Sequence, residues 1–238
     1  MPDASSYAIA VAGGIFPALA WLWFWLKEDS AHPEPRRLIA LAFLAGMLTV
    51  VIVIPIQKFA AGYLSTQTAI FAAWSTIEEF AKYAIAWLVV LHRRENDEPV
   101  DAIIYMVAVA LGFAGLENAL FLLSPLAGDT AIQTFMTGNL RFIGATLLHV
   151  FSSAVVGVFL AYSFYKPRLV KEWYAAIGVI LASLLHILFN FLILNTADEH
   201  LLRAFAGVWV GIIAVLAALE FVKRIIPASA GRPRRERR

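Results

Sequence analysis

Seven long apolar segments constrain the fold of this chain more than any other feature of its sequence. They cover residues 7–26, 38–57, 68–91, 101–123, 142–165, 172–195 and 202–226. An α-helix needs about 20 mainly apolar residues to cross the hydrocarbon core of a bilayer. The chain is 61% hydrophobic and 15% charged, whereas soluble domains carry about 25% charged residues. The sequence therefore predicts an all-α integral membrane protein with about seven transmembrane helices.

The polar stretches between these segments are too short to form a separate soluble domain. We therefore expect one polytopic membrane domain over residues 1–226, with its core at 68–195, and a basic, disordered tail at 227–238. The N-terminus lacks the basic region that begins a cleavable signal peptide, so the first segment is predicted to be retained as a span. Cysteine is absent, which excludes disulfides, thiolate metal ligands and cysteine nucleophiles.

The distribution of Lys and Arg predicts the orientation of the chain in the cell membrane. The loops after segments one, three and five, together with the C-terminal tail, hold fifteen of these residues, and the opposite side holds three. Cytoplasmic loops are enriched in Lys and Arg, so the N-terminus is expected outside and the C-terminus in the cytoplasm. The tail at 227–238 is then expected to contact anionic lipid headgroups, and no nucleic-acid partner is expected.

Three charged residues interrupt the third apolar segment near its middle, namely Glu78, Glu79 and Lys82. A carboxylate at that depth costs about 2.5–3.5 kcal/mol on insertion scales, so ionisable side chains inside spans are rare and commonly functional. Helical phase separates Glu78 from Glu79 by about 100°, and Lys82 lies one turn beyond both. One carboxylate can therefore face a cavity while the other pairs with Lys82, and Glu79 is the expected partner.

Polar residues in three other segments are predicted to lie at a similar depth. Segment four carries Glu117 and Asn118, segment five carries His149, and segment six carries His186 and Asn190. Segments one, two and seven carry no comparable residues. With a rise of about 1.5 Å per residue, these positions lie roughly 7–15 Å below the extracytoplasmic ends of their helices. The order of the residues in the sequence does not require these polar residues to lie at one depth. Their common depth therefore indicates a shared site in the outer half of the membrane.

In such a site, Glu78 is predicted to act as a general base that activates water, and the alternative is a structural ion pair with Lys82. His149 and His186 are expected to take part directly, because two imidazoles share the depth of a carboxylate. Asn190 can donate to a developing oxyanion or hydrogen-bond another helix.

Neighbouring residues are expected to support this site. Glu79 either joins the chemistry or pairs with Lys82, and that pair would orient the other groups. Glu117 and Asn118 are expected to brace the site from the fourth segment.

The same residues allow a second interpretation, because Glu78, His149 and His186 match the ligand set of a catalytic zinc site with an open position. The helix motif HExxH is absent, so only the ligand types suggest zinc. We favour a metal-free site without a cofactor, and zinc is the alternative. Ionisable residues inside spans also mark proton-coupled transporters. The internal repeats and Gly- or Pro-broken helices typical of transporters are not evident in this sequence.

Four blocks of the sequence resemble the PrsW family of intramembrane proteases, which is related to the CAAX prenyl proteases and bacteriocin-processing proteins. The blocks are EEFAK at 78–82, DAIIY followed by GFAGLEN within 101–118, a His and Gly pair at 149 and 157, and HILFN at 186–190. Lys82 and the Glu117–Asn118 pair favour the PrsW branch over the prenyl-protease branch.

This resemblance implies glutamic-type peptide hydrolysis within a membrane core of at most eight helices. By position, Glu78 would be the catalytic glutamate, His149 would help to activate water, and His186 and Asn190 would stabilise the oxyanion. Relatives cut membrane-anchored regulators such as anti-sigma factors. The expected partner is therefore a single-pass membrane protein that is cleaved near the extracytoplasmic half of the bilayer.

Overall fold

The computed structural model describes residues 4–28, 33–123, 131–194 and 198–225, and within these ranges the regular structure is entirely helical. The helices are α1 (Ala4–Glu28), α2 (Arg36–Ala61), α3 (Gln67–Ala86), α4 (Pro99–Leu123), α5 (Ala131–Tyr162), α6 (Arg168–Leu194) and α7 (Asp198–Val222). A π-helical turn at Trp87–Leu91 continues α3. Each predicted apolar segment therefore corresponds to one helix, and the all-α prediction is confirmed. The predicted tail at 227–238 lies outside the described residues.

Five of these helices are long and apolar enough to cross a membrane, over Tyr7–Lys27, Arg36–Ala61, Pro99–Leu123, Gly144–Tyr162 and Arg168–Leu192. The described apolar part of α7, Ala206–Val222, is shorter. The third predicted span is not among the five, because α3 combines its apolar residues with Glu78, Glu79 and Lys82. The fifth segment was predicted to begin at 142, but α5 already begins at Ala131. Helix formation follows backbone hydrogen bonding, so it continues past the apolar region that marks a span.

Helix α4 lies at the centre of the described structure, and α1, α2 and α5 pack against it. Every residue from Pro99 to Gly115 is buried, so this helix has no polar face. A Cβ atom on Gly46 of α2 would overlap the carbonyl oxygen of Val109, and a Cβ atom on Gly112 of α4 would overlap that of Phe43. The absence of these two side chains lets the backbones of α2 and α4 touch, as at many helix crossings in membranes.

Polar contacts fix the start of α4 against the segment that precedes α2. The Oδ2 atom of Asp101 accepts hydrogen bonds from the backbone N–H groups of Asp97 and Glu98, at 2.9 and 2.6 Å. Four residues later, the hydroxyl of Tyr105 donates to the Glu34 carboxylate, and both of these side chains are buried. These bonds satisfy polar groups at a helix end that is otherwise packed among apolar residues.

The outward faces of the helices carry large apolar side chains. Leu44 and Leu48 on α2, together with Leu184 and Leu188 on α6, are each more than half exposed. Exposed apolar surface of this extent is unfavourable in water, whereas in a bilayer it faces hydrocarbon. The buried polar side chains of α3 point the opposite way, into the helix bundle.

Candidate functional site

Helix α3 presents its polar face to the interior of the protein. Ser75, Glu78, Glu79 and Lys82 recur at intervals of three and four residues, and all four are buried. Phe80, on the opposite face, is 62% exposed. The helix starts at a regular cap, because the Thr66 side chain accepts a hydrogen bond from the backbone N–H of Ala69 at 3.2 Å. Burying this face is tolerable only where neighbouring helices supply partners for its charges.

Glu79 is the centre of the resulting hydrogen-bond network. Its Oε1 atom accepts from Lys82 Nζ at 2.6 Å, from His186 Nδ1 at 2.8 Å and from Ser152 Oγ at 2.9 Å. Its Oε2 atom is buried and has no hydrogen-bond partner among the described residues. One carboxylate therefore joins α3 to α5 and α6, and one of its oxygens stays available.

His149 on α5 lies between a cation and a carboxylate. Its Nδ1 atom is 3.1 Å from Lys82 Nζ, and its Nε2 atom is 2.7 Å from Glu117 Oε2. Because an ammonium group only donates, Nδ1 accepts from Lys82 and the neutral ring donates from Nε2 to Glu117. The Glu117 side chain is 38% exposed, whereas His149 is almost fully buried. Glu117 was expected to brace the site, and it contacts a site histidine directly.

Glu78 uses its two oxygens in different directions. Gln57 Nε2, on α2, donates to Glu78 Oε1 at 2.7 Å. The other oxygen, Oε2, lies 3.7 Å from His186 Nε2, which is beyond ordinary hydrogen-bond length. The space between Glu78 and His186 is bordered by His149, whose ring centroid is 5.0 Å from that of His186 in an edge-to-face arrangement.

Glu78, His149 and His186 together form a group that fits a metal ion. All three are buried, and one potential ligand atom from each lies within 4.8 Å of the others. Two imidazoles and one carboxylate are a known ligand set for catalytic zinc. His186 donates through Nδ1 to Glu79, which is the carboxylate–histidine arrangement that commonly orients a metal ligand.

The charges at the site also favour a cation. Glu79 pairs with Lys82, whereas Glu117 and Glu78 lie beside His149 and His186. Among the described site residues, these three carboxylates are accompanied by one ammonium group. With neutral imidazoles, three negative charges and one positive charge leave a formal charge of minus two. In a low-dielectric interior such an excess is costly, and either a divalent cation or protons on the carboxylates would reduce it.

Two predicted site residues occupy the margins of this network. Asn190 on α6 donates through Nδ2 to Ser75 Oγ at 3.0 Å, and Asn118 on α4 donates to Thr146 Oγ1 at 2.9 Å. Asn118 therefore links α4 to α5 without touching the buried carboxylates, as a bracing residue would. The Nδ2 atom of Asn190 carries a second hydrogen, so one donor is left for another oxygen.

The network also contains residues that were not predicted from the sequence, among them Gln57 and Ser152. The expectation that the second segment carries no relevant polar residue was wrong, because Gln57 reaches Glu78. Its position at the end of the predicted segment, four residues before α2 ends at Ala61, is typical of the membrane interface and not of the interior. Ser152 was detectable, since it follows His149 by three residues and so shares its helix face.

Several membrane-spanning helices around a buried cluster of carboxylates and imidazoles define a polytopic membrane protein with an intramembrane polar site. Residues 34–219 match the family model described as PrsW family intramembrane metalloprotease. The chain belongs to the PrsW family and is a multi-pass intramembrane protease of the cell membrane. The resemblance found in the four sequence blocks is thereby confirmed.

The curated relatives extend over most of this chain. It is 30% identical to Protease PrsW of Geobacillus kaustophilus (strain HTA426) over 190 residues, which cover 77% of this chain and 79% of the relative. It is 27% identical to Protease PrsW of Bacillus subtilis (strain 168) over 194 residues, covering 77% and 82% of the two chains. No solved structure matches the chain.

Proposed function

We propose that this protease hydrolyses a peptide bond of a membrane-anchored protein inside the bilayer, at a metal site formed by Glu78, His149 and His186. The observation that carries the proposal is the burial of these three side chains with potential ligand atoms within 4.8 Å of one another. The family's description as a metalloprotease supports the metal-dependent alternative over the cofactor-free site favoured from sequence. A bound zinc ion would polarise the scissile carbonyl and activate a water molecule.

Glu79 is proposed to have two tasks, one for each oxygen. Its Oε1 atom fixes the His186 ring with Nδ1 protonated, which leaves the lone pair of Nε2 on the side of Glu78. Its Oε2 atom, which has no partner among the described residues, would accept the proton that leaves the attacking water. Lys82 holds the Glu79 carboxylate in position through their 2.6 Å contact.

Glu117 and Asn190 are proposed to assist on opposite sides of this centre. Glu117 orients His149 through the 2.7 Å contact with Nε2. Asn190, one turn after His186, would turn its second N–H towards the oxyanion of the tetrahedral intermediate.

One observation favours a second chemical version without metal. Both nitrogens of His149 already have polar neighbours, Lys82 and Glu117, so a metal ligand at this position must give up one of them. In the metal-free version Glu78 accepts the proton from water, His149 orients that water, and His186 with Asn190 stabilises the oxyanion.

The proposed substrate is a single-pass membrane protein, such as an anti-sigma factor or a similar regulator. The excess of Lys and Arg in alternate loops supports an external N-terminus and a cytoplasmic C-terminus. Cleavage would then occur in the extracytoplasmic half of the bilayer. We propose that residues 1–226 form one protease domain with its core at 68–195, and that the basic tail at 227–238 contacts anionic lipids.

A comparison of membrane-protein fragments tests the protease assignment of the site. Cells that produce the wild-type chain should contain fragments of a single-pass protein that are missing with Glu78→Gln, because either chemical version needs this carboxylate. Glu172→Gln is the matched control, since Glu172 is an exposed residue of α6 that pairs with Arg168 outside the site, and it should leave the fragments unchanged. Identical fragments with wild-type and Glu78→Gln would refute the site.

Metal analysis separates the two chemical versions. Purified wild-type protein should hold about one zinc ion per chain, and His186→Ala should lose it while the helical content measured by circular dichroism is kept. Activity that disappears with a chelator and returns with zinc supports the metal version. Full activity in protein freed of metal would instead establish glutamate-activated water.

A further inference from the structure

A groove of about 710 Å³ runs between α1 and α2 on the outer surface of the bundle, away from the polar site. Both helices pack against α4, whereas contact between them is slight. Each contributes a stripe with a spacing of three and four residues. The α1 stripe is Leu19, Leu22, Trp23, Leu26 and Lys27, and the α2 stripe is Arg36, Ile39, Ala40, Phe43 and Leu44. The two helices run in opposite directions, so Lys27 and Arg36 meet at the same end.

The groove is therefore apolar along most of its length and basic at one end. Lys27 Nζ lies 3.6 Å from the centroid of the Trp23 ring, so its charge is held over the groove wall. Lys27 and Arg36 are exposed, and among the described residues neither has a carboxylate partner. Glu34 also borders this end, but it is buried and accepts the hydrogen bond from Tyr105. Both cations therefore line the same end of the groove.

We infer that this groove binds an anionic phospholipid, with an acyl chain against the two apolar stripes and the headgroup phosphate between Lys27 and Arg36. The charge pattern decides the occupant. From Lys27 to Leu19 the stripe rises about 12 Å along the helix, so its basic end is at the interface when its apolar end is in the hydrocarbon. Basic side chains at that level attract anionic headgroups. A second copy of the chain or a substrate helix would need its own acidic group to match the two cations.

The inference does not depend on the proposed catalytic chemistry, because none of the groove residues belongs to the polar site. Its structural consequence concerns α1 and α2. The lipid would fill the space between two helices that contact each other only slightly and would hold both against α4. The preference of the groove for anionic over neutral lipid should depend on Lys27 and Arg36 and not on the total charge of the protein.

Quenching of Trp23 fluorescence by brominated lipids tests the site in the full-length protein. The purified chain is reconstituted at low density in phosphatidylcholine vesicles that contain increasing fractions of phosphatidylglycerol with brominated acyl chains. The Trp23 signal is the difference between wild-type and Trp23→Phe protein. It should be quenched at a low fraction of the brominated anionic lipid and then saturate. Brominated phosphatidylcholine should quench only in proportion to its fraction.

Two double variants decide whether the site is specific. Lys27→Ala/Arg36→Ala should weaken the preference for phosphatidylglycerol by about tenfold, since each basic residue near the surface contributes severalfold. Lys166→Ala/Lys171→Ala removes the same charge from exposed positions outside the groove and should keep the preference. Equal proportional quenching by both lipids in wild-type protein would overturn the inference. Protection of Trp23 from both lipids would also overturn it, because protein would then occupy the groove.

Discussion

The side-chain amide of Gln57 on α2 donates a 2.7 Å hydrogen bond to Oε1 of Glu78 on α3. This bond joins a helix without other site residues to the carboxylate that faces His186. Gln57 is held in turn by Trp74, whose Nε1 donates to the Gln57 carbonyl oxygen at 3.0 Å. The orientation of Glu78 therefore depends on how α2 packs against α3, and Gln57 is a positioning residue for the proposed reaction.

Gln57→Ala should lower the rate of substrate cleavage by about 10–100-fold, the usual effect of losing a residue that orients a metal ligand or base. The loss should fall on kcat more than on KM, because Gln57 contacts Glu78 and not the substrate. Gln67→Ala, at the exposed first residue of α3, is the control and should keep wild-type activity. Steady-state kinetics on the reconstituted protein measure kcat and KM of the two variants. Unchanged kcat in Gln57→Ala would contradict a positioning role.

Lys82→Met should destabilise the protein by about 3–5 kcal/mol, because it leaves Glu79 charged and buried without its main partner. Glu79→Gln should destabilise it for the reciprocal reason. The double variant should cost less than the sum of the two single variants, since no unpaired charge remains. Equilibrium unfolding of the purified protein in detergent measures the free energies.

The exposed pair Glu220–Lys223 provides the control for this cycle, because it has the same spacing and the same 2.6 Å distance. Breaking this exposed pair should lower the free energy of unfolding much less, since water solvates both charges. Similar losses from the buried and the exposed pair would show that burial does not control the Glu79–Lys82 interaction.

Gly112→Ala and Gly46→Ala should each destabilise the protein by roughly 1–3 kcal/mol or more, because the added methyl group would meet backbone atoms of the facing helix. Gly207→Ala is the matched control, since no described neighbour lies within 4 Å of a Cβ atom there. That change should be neutral or slightly stabilising, because Ala favours helix more than Gly. Thermal unfolding in detergent gives the comparison, and equal stability of all three variants would rule out close α2–α4 packing.

Single cysteines introduced into this cysteine-free chain test its orientation. Ser65→Cys lies in the exposed connection between α2 and α3, and Glu95→Cys lies in the exposed connection between α3 and α4. In intact cells a membrane-impermeant maleimide should label the first variant and spare the second. Both should react after lysis. The reverse pattern would place the N-terminus in the cytoplasm.

The seven helices could be predicted from sequence because the length of an apolar segment is a local property. The layer of polar residues could also be predicted, since a fixed rise per residue converts chain position into depth. The three-residue spacing likewise suggested that Lys82 would lie beside Glu79, and these two residues are in contact. The first part of α5, before residue 142, was not predicted, because polarity marks the limits of a span and not those of a helix.

Only the tertiary structure decided which polar residues meet. The contacts of Glu79 with Ser152 and His186, and of Gln57 with Glu78, join residues that are 73, 107 and 21 positions apart. Such contacts depend on the rotation of each helix about its axis and on the distance between helices, which packing against α4 fixes. The sequence by itself determined that buried charges needed partners at one depth. The helix crossings decided that Glu79 would also contact Ser152 and His186, and that Glu78 would face His186.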